Sequence, residues 1–189
     1  MKRIGILGDI GSGKSYVARN FGYPVFNADE QVGILYKKSR KTFLKLKKIL
    51  PKHIKSFPIN KLEISKAILV NKVNLKKIIK IVHIEIKKKM LSFLKKNKNN
   101  EIVILDIPLL LENKINKKGD ILIFVQSQRK SVVEKLKKRK NFNSKLVKKF
   151  KNVQLPLDYK KRKSQFIIKN DFKEKTVKKE INKILQKIL

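Results

Sequence analysis

The chain contains no cysteine. That excludes a disulfide framework, a thiolate nucleophile and a zinc ribbon, so any metal would be held by oxygen. The absence suits a reducing compartment, and a cytoplasmic protein is expected. No run of 18 or more uncharged apolar residues occurs, so no membrane-spanning helix is expected. The opening Met1-Lys2-Arg3-Ile4-Gly5 leads straight into a strand pattern instead of a secretory apolar region.

Acidic residues are scarce, 14 Asp plus Glu against 50 Lys plus Arg, for a formal net charge of +36. Such an excess ordinarily signals a nucleic-acid or anionic-membrane surface. Here it is nearly all lysine: 44 Lys and 6 Arg stand beside 25 Ile and 15 Asn. Lys, Ile and Asn, all encoded by A/T-rich codons, fill 84 of the 189 positions, a pattern of genome bias. The lysines run through the whole chain between the apolar positions of helical segments, as solvated helix faces do. Arginine, the better base reader and phosphate fork, is rare. Composition therefore argues for solvated surface and against a nucleic-acid partner, with a basic nucleic-acid-binding protein as the non-enzymatic alternative. The 41% hydrophobic content excludes a disordered basic tail. The length of 189 residues suits a single domain over 1–189, expected as a monomer.

Only seven glycines serve the chain, and Gly5, Gly8, Gly11 and Gly13 fall within the first thirteen residues. They join a strand at Lys2 to Leu7 to a helix from Lys14 to Phe21. A short strand is expected at Pro24 to Phe26, a helix from Glu30 to about Leu50, and a helical pattern from Leu62 to Leu94 with a break near Asn71 to Asn74. Lys95 to Asn100 reads as a loop. The continuous apolar runs Glu101 to Asp106 and Ile121 to Val125 fit strands buried on both faces, with a weaker third at Gln165 to Ile168. Further helices are expected at about 130–138, 144–153 and 173–188. Strands alternating with helices predict an α/β fold with a parallel sheet covered on both faces. The helical stretch at about 30–97 is longer than a plain crossover requires, which points to a substrate-covering subdomain.

Gly8-Asp9-Ile10-Gly11-Ser12-Gly13-Lys14-Ser15 meets the pattern G-x-x-x-x-G-K-[ST] at every fixed position and lies between a strand and a helix, as the motif requires. Its glycines allow successive backbone N–H groups to face phosphate oxygens. Lys14 would neutralise the β- and γ-phosphates, and the Ser15 hydroxyl would reach a bridging Mg²⁺. A guanine-reading Asn-Lys-x-Asp box is missing after Ile121 to Val125, and the length is short for most motor ATPases. A small-molecule kinase is favoured.

Three more stretches narrow the class: Asn27-Ala28-Asp29, Ile107-Pro108-Leu109-Leu110-Leu111-Glu112-Asn113, and the segment Gln154 to Asn170. With the glycine loop they closely resemble the dephospho-CoA kinase family, whose members carry a GGIGSGKS-type loop, an Asp-Ala-Asp, a His-Pro and a D-x-P-L-L-x-E. The resemblance implies a three-layer P-loop kinase fold with a helical acceptor-binding portion at about 30–97 and a lid at about 130–155. It also implies transfer of the ATP γ-phosphoryl group to the ribose 3′-hydroxyl of dephospho-CoA. Another small P-loop nucleoside or nucleotide kinase is the alternative.

Residue by residue, the resemblance gives the ATP site to Asp9 through Tyr16, with Asn170 near the adenine. Asp29 would orient or deprotonate the acceptor hydroxyl; a helix N-cap before Glu30 is the alternative, and the two roles can coexist. Asp106 sits where a Mg²⁺-water ligand would lie, or it merely caps its strand. Pro108, Leu109, Leu110 and Glu112 would line the acceptor side, the two leucines being equally suited to the core. His83 would contact the acceptor, yet Ile84 replaces the family's proline, so the helix can run on. Arg139 matches a lid arginine that would stabilise the transferring charge. Asn27 and Lys135 depart from a family Asp and Arg. Lys160 matches too, but carries little information among 44 lysines.

Overall fold

A computed structural model describes residues 1–139 and 142–189; Lys140 and Asn141, within the expected lid, lie outside the described residues. In chain order the elements are β1 (Lys2–Gly8), α1 (Lys14–Asn20), β2 (Val25–Asn27), α2 (Ala28–Lys38), α3 (Arg40–Ile49), α4 (Lys61–Val70) and α5 (Lys72–Lys96). They continue with β3 (Ile102–Asp106), β4 (Ile121–Gln126), α6 (Arg129–Lys137), α7 (Ser144–Lys151), α8 (Leu157–Arg162), β5 (Phe166–Lys169) and α9 (Glu174–Ile188). Two compact units result. One holds residues 1–27, 97–142 and 153–189, the other 28–96 and 143–152.

The first unit is built on a five-stranded sheet in the order β2-β3-β1-β4-β5, with every pairing parallel. Every residue of β3 is buried, as its unbroken apolar run predicts. One face carries Ile4, Ile6, Ile102, Ile104, Ile123, Val125 and Ile168 against Val17, Ala18 and Phe21 of α1 and Val177, Ile181 and Ile184 of α9. The α9 positions fall at i, i+4 and i+7, one helical stripe. Each isoleucine so buried contributes about 1.5–3 kcal/mol of transfer free energy. β1 is central, so the glycine loop leaves the middle of the sheet at the carboxyl ends of the strands, where open α/β sheets bind ligands.

In the helical unit the long α5 presents Leu75, Ile78, Val82, Ile86 and Met90 as its buried stripe, and it packs with α2, α3 and α4. Where one helix is expected from Glu30 to Leu50, two form. Ser39 breaks it: its backbone is extended and its Oγ accepts the N–H of Thr42 at 3.1 Å, capping α3. The expected break near Asn71 falls on that residue, which is extended and accepts the Asn74 N–H at 2.8 Å. α5 runs on to Lys96, two residues into the expected loop, and straight through His83-Ile84. α8, which follows Pro156, has no counterpart in the periodicity reading because its six residues are too few to show a period.

Candidate active site

The segment from Gly8 to Ser15 connects β1 to α1 as a tight turn. The Ser12 N–H donates to the Asp9 carbonyl at 3.2 Å, and the Val17 N–H donates to the Gly13 carbonyl at 2.9 Å, opening α1. Asp9 turns its carboxylate back onto the N–H of Ile10 at 2.7 Å. Lys14 curls over the loop, its Nζ donating to the carbonyls of Asp9 at 2.7 Å and Gly8 at 3.2 Å. These two bonds hold the ammonium at the mouth of the loop, where phosphate oxygens can take the place of the carbonyls. Gly13 has φ 87°, and a Cβ there would lie 2.3 Å from Nδ2 of Asn170, so no other residue fits. Asp9, Ile10, Gly11 and Ser15 are half-buried, Ser12 is buried and Tyr16 is exposed.

Asn170, expected near the adenine, is buried at 3% exposure, with both ends of its amide engaged within the protein. Its Nδ2 donates to the Ser12 carbonyl at 2.8 Å, and its Oδ1 accepts the Phe172 N–H at 2.9 Å. Ser127, which sequence reasoning passed over, donates its hydroxyl to the same Ser12 carbonyl at 2.9 Å. A serine directly after a buried strand was the only signal, and by itself it is a weak one.

Asp106 ends β3 and is buried. Leu105 pairs with Gly5 of β1, so Asp106 stands at the carboxyl end of the strand beside the one that feeds the glycine loop. On its other side Asn27 pairs with it and donates Nδ2 to its carboxylate at 2.7 Å. The amide that replaces the family's first Asp is thus a hydrogen-bond donor to the neighbouring carboxylate, where a second carboxylate would repel it. The Ser15 hydroxyl and the Asp106 carboxylate are both hard oxygen donors. That fits Mg²⁺, which uses few protein ligands and keeps most of its waters. Asp29 belongs to the helical unit, in the exposed first turn of α2, two residues beyond the last residue of β2.

The turns after β3 carry Pro108 and Leu109 half-buried. Leu110 is fully buried in the core: its Cδ2 takes the space left open by Gly5, where an added Cβ would lie 2.5 Å away. Glu112 engages one carboxylate oxygen within the protein, while its Oε2 is buried with no hydrogen-bond partner among the described residues. Its Oε1 accepts from Lys160 Nζ at 2.6 Å and from the Leu155 N–H at 3.0 Å, with side-chain exposures of 9% for Glu112 and 1% for Lys160. Lys160 is thus far from incidental; it locks α8 to the turns after β3. Replacing Lys160 by Met should strand a buried carboxylate and cost about 3–5 kcal/mol of unfolding free energy. The double variant Lys160→Met/Glu112→Leu should recover most of that loss in urea titrations. Equal loss in both would show that the pair itself is not responsible.

His83 is half-buried on α5, and its Nε2 is buried without a hydrogen-bond partner among the described residues. Burial, with Lys87 nearby, pushes its imidazolium below the usual histidine range, so the neutral ring predominates at pH 7. Arg139 is exposed just beyond α6, its N–H bonded to the Leu136 carbonyl at 3.1 Å. Lys135, at the family's other arginine position, rests its Nζ over the Phe172 ring, 5.4 Å from the centroid.

A parallel sheet of this order, with a G-x-x-x-x-G-K-S loop leaving its central strand into a helix and lysine seated on the loop, defines a P-loop nucleotide-binding protein. The sequence profile of the family described as dephospho-CoA kinase matches residues 2–176. The chain belongs to that family. It is 30% identical to the dephospho-CoA kinase of Bartonella quintana, with 100% of this chain and 99% of the relative aligned. Identity to the dephospho-CoA kinase of the Wolbachia of Brugia malayi is 29% over 98% of this chain and 97% of the relative. The solved structure of dephospho-CoA kinase from Campylobacter jejuni has the same fold, with a TM-score of 0.62 at 22% identity, covering 99% of this chain and 97% of that one.

Proposed function

We propose that this kinase phosphorylates the ribose 3′-hydroxyl of dephospho-CoA with ATP, giving coenzyme A and ADP. The observation that carries the reading is the formed glycine loop with Lys14 on its carbonyls, in a chain matched by the dephospho-CoA kinase family over residues 2–176. The 3′-oxygen bonds to the γ-phosphorus, the bond from that phosphorus to the β,γ-bridging oxygen breaks, and ADP departs. Asp29 orients the hydroxyl and takes its proton. The loop from Asp9 to Tyr16 binds the triphosphate, and Lys14 moves from the Gly8 and Asp9 carbonyls onto the β- and γ-phosphates. Ser15 would hold Mg²⁺ directly and Asp106 through water, and the ion would supply charge neutralisation across the phosphates. Arg139, in the lid segment, adds a planar fork to the transferring group.

His83 on α5 and Pro108, Leu109 and Glu112 after β3 contact the acceptor, while the buried Leu110 anchors the turns after β3 in the core. Phosphoryl transfer asks the protein mainly for positioning and charge stabilisation, and these residue types supply both. We propose a cytoplasmic monomer, in keeping with the cysteine-free composition; no helix among the described residues is long and apolar enough to cross a membrane. The test is ADP release with ATP, Mg²⁺ and dephospho-CoA, read beside adenosine and deoxyadenosine as acceptors. ADP release with dephospho-CoA and a new 3′-phosphate ³¹P resonance are expected. Phosphorylation of the nucleosides with dephospho-CoA untouched would overturn the assignment in favour of a nucleoside kinase.

A further inference from the structure

Two side chains from distant parts of the chain converge on one backbone oxygen of the glycine loop. Ser127 directly follows Gln126 at the end of β4, and Asn170 directly follows β5. The Ser127 hydroxyl donates to the Ser12 carbonyl at 2.9 Å, and Asn170 Nδ2 donates to the same oxygen at 2.8 Å. Both anchors are themselves fixed. β4 and β5 are paired, the Asn170 N–H donates to the Gln126 carbonyl at 2.8 Å, and Asn170 Oδ1 holds the Phe172 N–H at 2.9 Å. Asn170 and Ser12 are buried, which shields the Asn170 bond from water, and the Ser127 bond is part-buried.

The Ser12 carbonyl and the Gly13 N–H belong to one peptide unit. In a trans peptide the two point in opposite directions. Pulling the carbonyl toward β4 and β5 therefore turns the Gly13 N–H the other way. Glycine on the far side of this unit lets the plane rotate with little steric resistance. A rotated plane would present a carbonyl, the wrong end of the dipole, to an anion.

We infer that Ser127 and Asn170 are positioning residues for ATP: together they set the Ser12–Gly13 peptide plane so that the loop offers an N–H to phosphate before the nucleotide arrives. This rests on the proposed P-loop function. One anchor suffices to hold the plane, so the two are redundant in part and losing both costs more than the product of the single losses.

The test is calorimetric binding of Mg·ATP to wild type, Ser127→Ala, Asn170→Ser and the double variant, with steady-state KM values for both substrates. Each single variant should weaken ATP binding about threefold and the double about thirtyfold or more. KM for dephospho-CoA should stay within about twofold of wild type, because a general loss of structure would move both substrates. Ser127→Thr, which keeps the hydroxyl, should restore binding in the Asn170→Ser background. Should Asn170→Ser fail to fold, the contrast between Ser127→Ala and Ser127→Thr in ATP affinity decides. A double variant with near-normal ATP affinity, parallel rises in both KM values, or no difference between Ala and Thr would each overturn the inference. A wild-type protein that does not bind ATP would instead remove the P-loop reading beneath it.

Discussion

Lys14→Ala should abolish turnover and leave the protein folded. In the structure the Lys14 ammonium donates to two loop carbonyls, at 2.7 and 3.2 Å, from a half-buried position that water can reach. Losing those two bonds costs about 1–2 kcal/mol of stability, and water replaces part of that. Its loss from the reaction is larger. Charge builds on the phosphate oxygens as the bond to ADP breaks, and removing one pre-placed cation or donor from such a site costs about 10²–10³ in kcat. The 43 other lysines cannot stand in, because what matters is an ammonium tethered at the start of α1. ADP release should drop at least that far, with thermal unfolding shifted by only a few degrees. A kcat within about tenfold of wild type would show that Lys14 is not on the transferring phosphate.

Features written in short spans of sequence were legible. The glycine loop sets its own conformation through residues that tolerate positive φ, and the apolar runs at β3 and β4 have no amphipathic alternative. A parallel α/β sheet followed from those runs and the helical patterns between them. The Ser39 break was not legible by period alone, since apolar spacing continues across it. What stops α2 is a side-chain cap competing for the backbone.

The site divides in the same way. Lys14 and Ser15 announce themselves by spacing. The Glu112–Lys160 pair joins residues 48 positions apart, and among so many lysines nothing local separates Lys160 from its solvated neighbours. The same holds for Ser127 and Asn170, whose shared target is a backbone oxygen more than 100 residues away. Side chain to backbone bonds of that kind leave no pattern in residue types.

The basic composition can also be placed physically. The half-buried Lys45–Glu85 pair joins α3 to α5, whereas nearer the surface lysines pair with acids locally, as in Lys178–Glu174 and Lys183–Glu180 on α9. Such exposed pairs are worth at most about 1 kcal/mol each. Fourteen acids cannot neutralise 50 cations, and the +36 excess remains as a general positive field. Screened beyond about 8 Å at physiological salt, such a field would at most help to attract polyanions and says little about which one is bound.

Asp29→Asn separates the two roles open to that residue. A carboxylate in the first turn of α2 favours the helix through the N-terminal partial charge, worth about 0.3–1 kcal/mol at an exposed position. The amide keeps the size and an accepting oxygen, so a purely helical role predicts a slightly less stable protein with nearly normal kcat. A residue that orients and deprotonates the acceptor hydroxyl contributes about 10²–10⁴. Because phosphoryl transfer relies mostly on positioning and charge, the loss should fall at the lower end, about 10² in kcat, with ATP affinity within about threefold of wild type. The chain has less to fall back on than the family pattern it resembles, since Asn27 replaces the first carboxylate and gives its amide to Asp106 at 2.7 Å. Asp29 is then the remaining carboxylate of the Asp-Ala-Asp stretch able to accept the hydroxyl proton. Near-normal kcat in Asp29→Asn would return Asp29 to the helix and leave the proton to solvent.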